Sequence, residues 1–563
     1  MRCHHSTMEI TSVMRLFLVI IAAIHCGYSP VLSAADYYLS PGGSDANNGL
    51  SQASAWKTIQ KVNALQLRAG DRVLFEGGKE ITIDVASGLA LQDSGTASQP
   101  ITVASYGTGR ATLKVKSPAL HGIVVSACQY LTIRDLIITG PGIANQSSGG
   151  NGLNLTWFNN SIVRNVEVSN FRGNGVYLNG SHDSLIEGVY AYGNGFCGIY
   201  SVGESVTSVN NCSNLTIRDC RTNDNPGDPL ETAMHSGNGI LLTSTADSLI
   251  EYCEAARNGA NMGSTTGGPV GIWVASSTRV TIQHCVSHDN KSPIVYDGGG
   301  FDLDQGTTDC IVQYNYSYGN HGAGYLVYTN PGTFNSGHTI RYNISEDDAW
   351  GSGAGAAAIS ISGQSSSSNT GMKVYNNTVI NLIGKNAIGG NSNFSNSTNS
   401  IRNNIMIIGG GGKFTNGLGT AVFQGNLYWN VNGSGNWAGY ATLADWRLNT
   451  GNETLGGSPT GFYSDPRMTM PGKDVRVTDP RKIPFINYYR LASNSPAIDA
   501  GLDLKTRFSM GPGPTDFFGT SLSTITKFDI GMHEATLAVL PTDHNSVPVI
   551  SSTSATNPQL SLP

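Results

Sequence analysis

Charged residues are scarce in this chain: Lys, Arg, Asp and Glu make up 13% of the 563 residues, and the formal net charge is −6. Proteins that bind nucleic acid carry a basic surface that neutralises phosphates. The composition therefore argues against nucleic acid as a partner. A polyanionic substrate would also gain no attraction from the net charge, and would need a bound cation or local basic residues.

Cysteine is rare as well. The chain has nine cysteines, and seven remain if the N-terminal segment described below is removed. An odd number excludes a complete disulfide framework. Cys220, Cys253 and Cys285 occupy one position in successive copies of a repeat, which predicts an interior stack of small apolar side chains. Cys197 and Cys212 flank a long insertion and are the best candidate disulfide pair.

Long apolar runs are confined to the N-terminus, where residues 16–24 form a stretch too short to span a bilayer. A basic residue precedes it, and small residues at 33–35 offer a cleavage site. Residues 1–35 are therefore predicted to be a signal peptide, with Met1 or Met14 as the true start. We expect a protein secreted to the extracellular or periplasmic space, without a transmembrane segment.

Glycine, in contrast, is abundant, with 70 residues. A repeat accounts for part of it: a small residue opens a short strand of alternating apolar residues, and a second alternating strand follows about ten residues later. Self-similarity with a period of a few tens of residues is typical of a solenoid. The pattern predicts an all-β fold of stacked coils. The copies open at Gly122, Gly152, Gly175, Gly198, Gly239, Gly271, Gly300, Gly324 and Ala358.

An asparagine recurs where the second strand of a coil ends. Asparagine tolerates the left-handed backbone region and can bond its stacked copy. These positions are Asn194, Asn225, Asn258, Asn290 and Asn320. With this repeat, residues 37–429 resemble the pectate lyase and polygalacturonase-like superfamily. The resemblance implies a single-stranded right-handed parallel β-helix that acts on a polysaccharide or oligosaccharide.

The ends of the chain differ from the repeat. The start of the mature chain resembles an N-terminal cap, in which Ser54 caps a short helix that plugs the core. We therefore predict a β-helix with its cap over residues 36–430, a closing segment packed on the last coils over 431–540, and a disordered tail over 541–563. With both ends capped, we expect a monomer. The helix would bury Trp56, Ile59, Val62 and Leu65.

Equivalent residues of stacked coils form columns. Two interpretations of the aromatic residues in the outward columns remain open. Either they line an exposed substrate-binding groove with flat faces for sugar rings, or they lie beneath the insertion at 203–238 and form a secondary core. These residues are Tyr177, Tyr200, Trp273 and Tyr328. A column on the second strand alternates in charge from Arg164 to Glu251, which is typical of a structural ladder.

Only one coil, residues 296–308, carries acids at its outward positions. Asp302 and Asp304 lie two apart on one strand, and Asp297 precedes them in the turn. Such acids support glycoside hydrolysis, in which mutual repulsion keeps one carboxyl protonated. They also support calcium binding through all three carboxylates, with Ca²⁺ as the candidate cofactor. A third interpretation is a structural ion or turn caps.

A lyase would need a base, and Lys291 and His235 are the candidates, with His288 and His321 as others. Each is also compatible with an ordinary loop residue. The coil after the acids, residues 320–328, carries no acid, unlike the calcium coils of some β-helix pectate lyases. Three functions remain: a polysaccharide lyase or glycoside hydrolase centred on Asp302 and Asp304, a non-catalytic glycan-binding or cell-surface protein, or an epimerase.

Overall fold

The computed structural model describes residues 34–535, apart from 117–119, 147–148, 209–210, 295–296, 354–355, 365, 392–396 and 470–475. Nearly all of the predicted signal peptide and the predicted tail at 541–563 lie outside the described residues.

The described chain forms a parallel β-solenoid. One face, which we call the front sheet, has a strand from each coil, and its neighbours pair in parallel register. Alternate residues of these strands point inward, so the coil interior becomes the main core. The front-sheet strands are Leu89–Leu91, Ile123–Ser126, Leu153–Thr156, Asn174–Asn179, Cys197–Val202, Asn238–Thr243, Val270–Ala275, Gly299–Leu303, Tyr325–Thr329, Ala357–Gly363, Asn386–Gly390 and Thr415–Asn416.

The remaining faces form the back sheet, in which most coils contribute two short strands separated by a bend. Its strands are Asp36–Leu39, Arg72–Glu76, Glu80–Ile83, Ile101–Tyr106, Ala111–Val115, Leu131–Thr139, Ile162–Ser169, Leu185–Glu187, Tyr190–Tyr192, Thr216–Arg218, Arg221–Asn223, Leu249–Glu251, Glu254–Ala256, Thr281–Gln283, Val286–His288, Ile311–Gln313, Tyr316–Tyr318, Thr339–Arg341, Ile344–Glu346, Lys373–Tyr375, Thr378–Asn381, Ser400–Arg402, Ile405–Ile408, Val422–Gln424, Leu427–Asn430 and Phe462–Tyr463.

Helices and small pairings are few in the described residues. The α-helices are Gln60–Asn63, Leu443–Thr450 and Leu504–Phe508, and the 3₁₀ turns are Gln52–Ser54, Ile143–Asn145, Pro480–Phe485 and Asn487–Tyr489. Two-stranded pairings join Cys212–Ser213 with Thr245–Ala246, Phe334–Ser336 with Ser368–Thr370, and Thr454–Leu455 with Ser458–Pro459. Within the described part of the chain, no helix has the length and apolar character needed to span a membrane.

The short N-terminal helix differs from the prediction in one respect. It begins after Ile59, which makes no side-chain capping bond, while Ser54 ends a separate 3₁₀ turn that Ser51 caps. Ser54 is therefore not the helix cap. Three of the predicted apolar residues are buried all the same, Trp56, Ile59 and Val62, and Leu65 is half-buried against the same core.

The predicted asparagine column is a hydrogen-bonded ladder. Each side-chain amide donates to the amide oxygen of the next coil, as from Asn258 Nδ2 to Asn290 Oδ1 at 2.9 Å. The ladder ends at Asp348, whose Oδ1 accepts from Asn320 Nδ2 at 2.8 Å. Because every member is buried, the ladder satisfies polar groups that would otherwise destabilise each corner.

A second ladder, which the sequence reasoning missed, continues from the cysteine stack. Cys285 N donates to Asn315 Oδ1 at 2.9 Å, and the series then ends at the carboxylate of Glu453. Its asparagines are Asn315, Asn343, Asn377, Asn404 and Asn426. Recurrence of asparagine two residues after the end of the first back-sheet strand is the sequence signal that could have revealed it.

The cysteines confirm one expectation and correct another. Cys220, Cys253 and Cys285 are free and buried in the main core, as expected for an interior stack. The candidate disulfide between Cys197 and Cys212 is wrong, because both thiols are free. Cys197 Sγ contacts the carbonyl of Ile199 at 3.1 Å, and Cys212 Sγ contacts that of Val202 at 3.3 Å.

Residues after the solenoid pack on the outer face of the back sheet and form a second apolar cluster there. Tyr489 contributes its ring, and its hydroxyl and that of Tyr316 both donate to Glu346. Arg481 of the same segment pairs with Asp219 at 2.7 Å, and its guanidinium lies over the ring of Tyr252. Asp302, the centre of the candidate site, lies instead on the front sheet, on another face of the solenoid.

Candidate functional site

The predicted outward column of the front sheet is confirmed along its whole length. Each member pairs in register with the next, so Asp302 lies between Trp273 and Leu326. The column runs Val124, Asn154, Tyr177, Tyr200, Leu241, Trp273, Asp302, Leu326 and Ser360. A one-residue slip would have exchanged the two faces of every strand, so the register fixes which side chains face outward.

The charge column on the back sheet is also in the predicted register. Arg164 pairs with Glu187 at 2.5 Å, and Arg218 pairs with Glu251 at 2.6 Å. Gln283 continues the series by donating to Glu251 at 2.9 Å. These charges are balanced by neighbours, as the sequence indicated, in contrast to the acids of the front sheet.

Burial along the front sheet changes sharply near the acids. Strands Asn174–Asn179 and Cys197–Val202 have half-buried outward residues, whereas every residue of Val270–Ala275 is buried. Trp273 is only 5% exposed. This burial favours the secondary-core interpretation for Trp273, because the ring belongs to a satellite apolar cluster with Leu241. Its predicted role in substrate binding stays a prediction.

The cover over Trp273 comes from the insertion at 203–238. His235 packs edge-to-face on its ring at 5.1 Å, and Asn238 Oδ1 accepts from Trp273 Nε1 at 3.1 Å. Phe196 completes the layer against His235 at 5.4 Å. The secondary-core interpretation thus holds for Trp273, and for Tyr200, which packs on Phe196 at 5.3 Å.

His235 is held in this wall as a neutral side chain. Burial lowers its pKa to about 4, and its Nδ1 lies 3.0 Å from Asn238 Nδ2. Its ring contacts Trp273, which is the in-register neighbour of Asp302. The structure therefore places His235 one coil from the acids, and its predicted catalytic role stays a prediction.

The two acids of the strand differ in exposure. Asp302 is 4% exposed, and its Oδ1 is buried without a hydrogen-bond partner in the described residues. Asp304 is half-buried, and its Oδ1 accepts from Gln305 N at 2.7 Å. Because same-face residues of a strand lie about 6.6 Å apart at Cα, the two carboxyl groups are neighbours at one end of an open section.

Burial perturbs the acid–base behaviour of this coil strongly. It raises the pKa of Asp302 well above the ordinary range, and the charges of Asp304 and Asp297 raise it further. Burial raises the pKa of Asp304 to about 7 and that of Asp297 to about 6. Asp302 therefore holds its proton more tightly than Asp304, which ionises as the pH rises through about 7.

Asp297 lies in the turn that leads into the acid strand. A side chain at Gly268 would collide with the Cβ of Asp297, so glycine there allows the preceding loop to close against the acid. His321 Nδ1 lies 3.3 Å from the Asp297 carbonyl oxygen. Lys291, the other predicted base, is exposed; its backbone closes against Gly298, which places it at the same corner.

On the far side of the acids the front sheet opens. Outward residues of Tyr325–Thr329 and Ala357–Gly363 are half-buried. Tyr328 is one of them, and its hydroxyl accepts from Gln364 Nε2 at 2.9 Å. Burial raises its pKa, and the charges of Asp297, Asp304 and Asp302 act in the same direction. Tyr328 is therefore a neutral phenol close to all three acids.

Sequence reasoning missed one aromatic residue at this corner. Trp350 is 49% exposed, although its Nε1 donates to the Gly319 carbonyl at 3.0 Å and His321 packs edge-to-face on it at 4.9 Å. An aromatic side chain that is fixed in position yet half exposed is suited to stacking on a ligand. Trp350 falls between strands in the sequence, where periodicity carries no signal.

The predicted calcium ligands Asp297, Asp302 and Asp304 stay a prediction. Among the residues that the structure describes, no group of three or more His, Cys, Asp or Glu side chains is arranged to hold a metal ion. The buried, unpartnered Oδ1 of Asp302 is an oxygen that suits a cation or a hydrogen-bond donor equally.

A comparison with protein families matches residues 37–343, more than half of the chain, to the model described as the Pel9A-like, right handed beta helix region. The chain belongs to this Pel9A-like β-helix family. The solenoid is therefore right-handed, as the resemblance in the repeat implied.

Individual relatives are more distant. A lacto-N-biosidase from Bifidobacterium longum subsp. longum is 42% identical over 79 residues, which is 13% of this chain and 5% of that protein. The GH136 lacto-N-biosidase structure from Eubacterium ramulus is 17% identical, with a TM-score of 0.46, and the match covers 70% of this chain and 64% of that chain. Pectate lyase Pel9A is 16% identical, with a TM-score of 0.39, over 90% and 97% of the two chains.

Proposed function

We propose that this protein is an exported carbohydrate-active enzyme that cleaves glycosidic bonds at Asp302 and Asp304. The observation that carries the proposal is the unpartnered Oδ1 of Asp302, a nearly fully buried carboxyl beside a second acid. A buried carboxyl without partners costs free energy in the fold. Such groups persist where catalysis uses them. The similar proteins named above include lacto-N-biosidases and a pectate lyase, which is in keeping with a carbohydrate substrate.

The different environments of the acids suggest a division of roles. Asp302, which keeps its proton, would donate it to the leaving glycosidic oxygen. Asp304, ionised above a pH of about 7, would take a proton from water as the water oxygen bonds to the anomeric carbon. One glycosidic bond breaks, one water is consumed, and the proton that Asp302 gives is replaced by the one that Asp304 accepts.

The electrostatics favour a neutral glycan over a uronate polymer. Within the described residues, no Lys or Arg contributes to the pKa shift of Asp297, Asp302 or Asp304. A substrate carboxylate would therefore meet ionised Asp304 without a compensating side chain. Hydrolysis of a neutral polysaccharide is the function that this arrangement supports best.

The solenoid ends have proposed roles as well. The helix Gln60–Asn63 buries Val62, which suits a cap over the first coils. The segment over 431–540 contributes Tyr489 to the apolar cluster on the back sheet, which suits a closing module. Both would protect strand edges from pairing with other chains.

The test is an activity screen of the purified protein on neutral polysaccharides (β-1,4-glucan, β-1,4-galactan, xylan and mannan) and on acidic ones (polygalacturonate and alginate), with and without a chelator. We expect new reducing ends from a neutral polymer, no unsaturated product, and no effect of the chelator. Unsaturated uronate products would establish a lyase instead. Absence of any product across the panel would favour a non-catalytic glycan-binding protein.

Three variants locate the site. Asp302→Asn and Asp304→Asn should each lower kcat by at least about 100-fold, the usual range for loss of an acid–base group. Asp309→Asn is the matched control, since Asp309 is an exposed acid of the same coil and its change makes the same replacement of a carboxyl by an amide. Full activity in either of the first two variants would refute the site assignment.

A further inference from the structure

The front-sheet groove is blocked on one side of the acids and open on the other. Before the acid strand, the outward residues Leu241 and Trp273 are 1% and 5% exposed. After it, Leu326 and Ser360 of the same column are half-buried. The layer that covers the outward column therefore ends at Asp302, and the outward residues of the following coils form the accessible floor of the groove.

The block is a fixed wall built from two insertions. The first is the insertion at 203–238, which seats His235 and Asn238 on Trp273. Asp228 in this insertion is buried and pairs with Arg172 at 2.6 Å.

The second insertion lies between strands Glu254–Ala256 and Val270–Ala275 and joins the first through its backbone. Gly263 N donates to the Asp228 carbonyl at 3.1 Å. Farther along, Gly268 closes on Asp297. Because a buried ion pair, backbone bonds and ring packing all hold the wall, it stays in place without a ligand.

The open side has the features of a short oligosaccharide channel. Its floor carries Ser360 and Ser362, whose hydroxyls lie 3.0 Å apart. One flank is lined by amides, with Asn330 Nδ2 donating to Gln305 Oε1 at 2.7 Å, and the other flank carries the exposed ring of Trp350. Coils are about 4.8 Å apart, so three coils span roughly 14 Å.

We propose that this site acts on the end of a neutral glycan chain: the terminal unit stops against the His235–Trp273 wall, and the rest of the chain runs over the following coils. This inference rests on the proposed function and adds where along the glycan chain the enzyme cleaves. A polymer cannot thread past the acids, because the wall occupies the coil that the next sugar units would need. The enzyme would therefore release a small product of uniform size.

Two measurements test this mode. The first follows viscosity and reducing ends together on whichever neutral polysaccharide the wild-type protein cleaves. Release from chain ends predicts that viscosity falls only gradually, roughly in step with the mass of product released, and that the product has one size. A rapid loss of viscosity with a ladder of products would overturn the end-directed mode while leaving the proposed hydrolysis intact.

The second measurement does not depend on turnover. The Asp302→Asn variant is titrated calorimetrically with β-1,4-glucan, galactan, xylan and mannan fractions of defined average length. A blocked groove predicts one protein bound per chain at every length. Stoichiometry that rises in proportion to chain length would overturn the inference, and absence of binding to all four glycans would remove both the inference and the proposed function.

Discussion

At the scale of single residues, the acids of the front sheet lower the stability of the fold. Asp302 is buried with an oxygen that has no hydrogen-bond partner among the residues that the structure describes, and Asp304 ionises in a desolvated position with a pKa of about 7. Unsatisfied buried polar groups cost about 1–3 kcal/mol each. Asparagine at either position would remove the ionisation, so these residues allow stability and activity to be separated.

We expect Asp304→Asn to stabilise the protein at pH 8 by about 1–3 kcal/mol, in keeping with that cost. The folded-state pKa is about 7 and the unfolded value lies near 4, so the wild-type carboxyl favours unfolding increasingly as pH rises between these values. The gain should nearly disappear at pH 4, where the folded state is protonated and the unfolded state is only about half ionised. Urea unfolding at pH 4, 6 and 8 measures it, with Asp309→Asn as control; equal gains at all three values would contradict the explanation.

His288 provides the opposite pH dependence. Burial lowers its pKa, but Asp289 at 2.8 Å and Glu254 at 3.2 Å outweigh burial and raise it overall. The contribution of His288 to the stability of the fold is therefore complete below the pKa of this histidine in the unfolded chain. It is lost as the pH rises through the pKa in the folded protein. His288→Gln should cost about 1 kcal/mol more at pH 5.5 than at pH 8.5, measured by urea unfolding. A loss that is independent of pH would show that stacking on Tyr318 at 4.5 Å dominates.

At the scale of elements, the strands followed from the sequence because alternation has a period of two and each coil repeats it. The register of Asp302 between Trp273 and Leu326 could therefore be predicted. What could not be predicted is where an insertion folds back. His235 lies 38 positions before Trp273 in the numbering, and no local pattern indicates that its ring covers the indole. Trp350 was missed for the same reason, since it belongs to a corner.

The corner residue Trp350 gives a prediction for the open channel. Trp350→Ala should weaken oligosaccharide binding about tenfold, because a stacked aromatic ring contributes on the order of 1–2 kcal/mol. Calorimetric titration in the Asp302→Asn background measures it. Trp157→Ala is the matched control, since Trp157 is 47% exposed and Ala127 occupies the equivalent positive-φ position one coil earlier. Equal effects of the two changes would remove Trp350 from the channel.

At the scale of the whole molecule, the described solenoid is held together without covalent cross-links. All seven cysteines in the described residues are free and buried, and burial raises the pKa of Cys197 and Cys220, which suppresses the reactive thiolate. Packing and hydrogen-bond ladders alone must therefore supply the stability.

We accordingly expect dithiothreitol to leave Tm unchanged, and a thiol reagent to label these seven cysteines only after denaturation. Calorimetry with and without reductant, together with labelling in buffer and in urea, checks both. A fall in Tm of several degrees on reduction would show that a disulfide forms in the purified protein after all.

The acids that end the two ladders also determine how far each asparagine ladder extends along the solenoid. Every asparagine amide donates toward the next coil, whereas the carboxyl oxygens of Asp348 and Glu453 accept and have no amide hydrogen to pass on. Asp348 and Glu453 therefore terminate the two asparagine ladders. Coils can be duplicated or deleted upstream without disturbing either end, so a designer could lengthen this solenoid by copying asparagine-bearing coils and keeping the acid last.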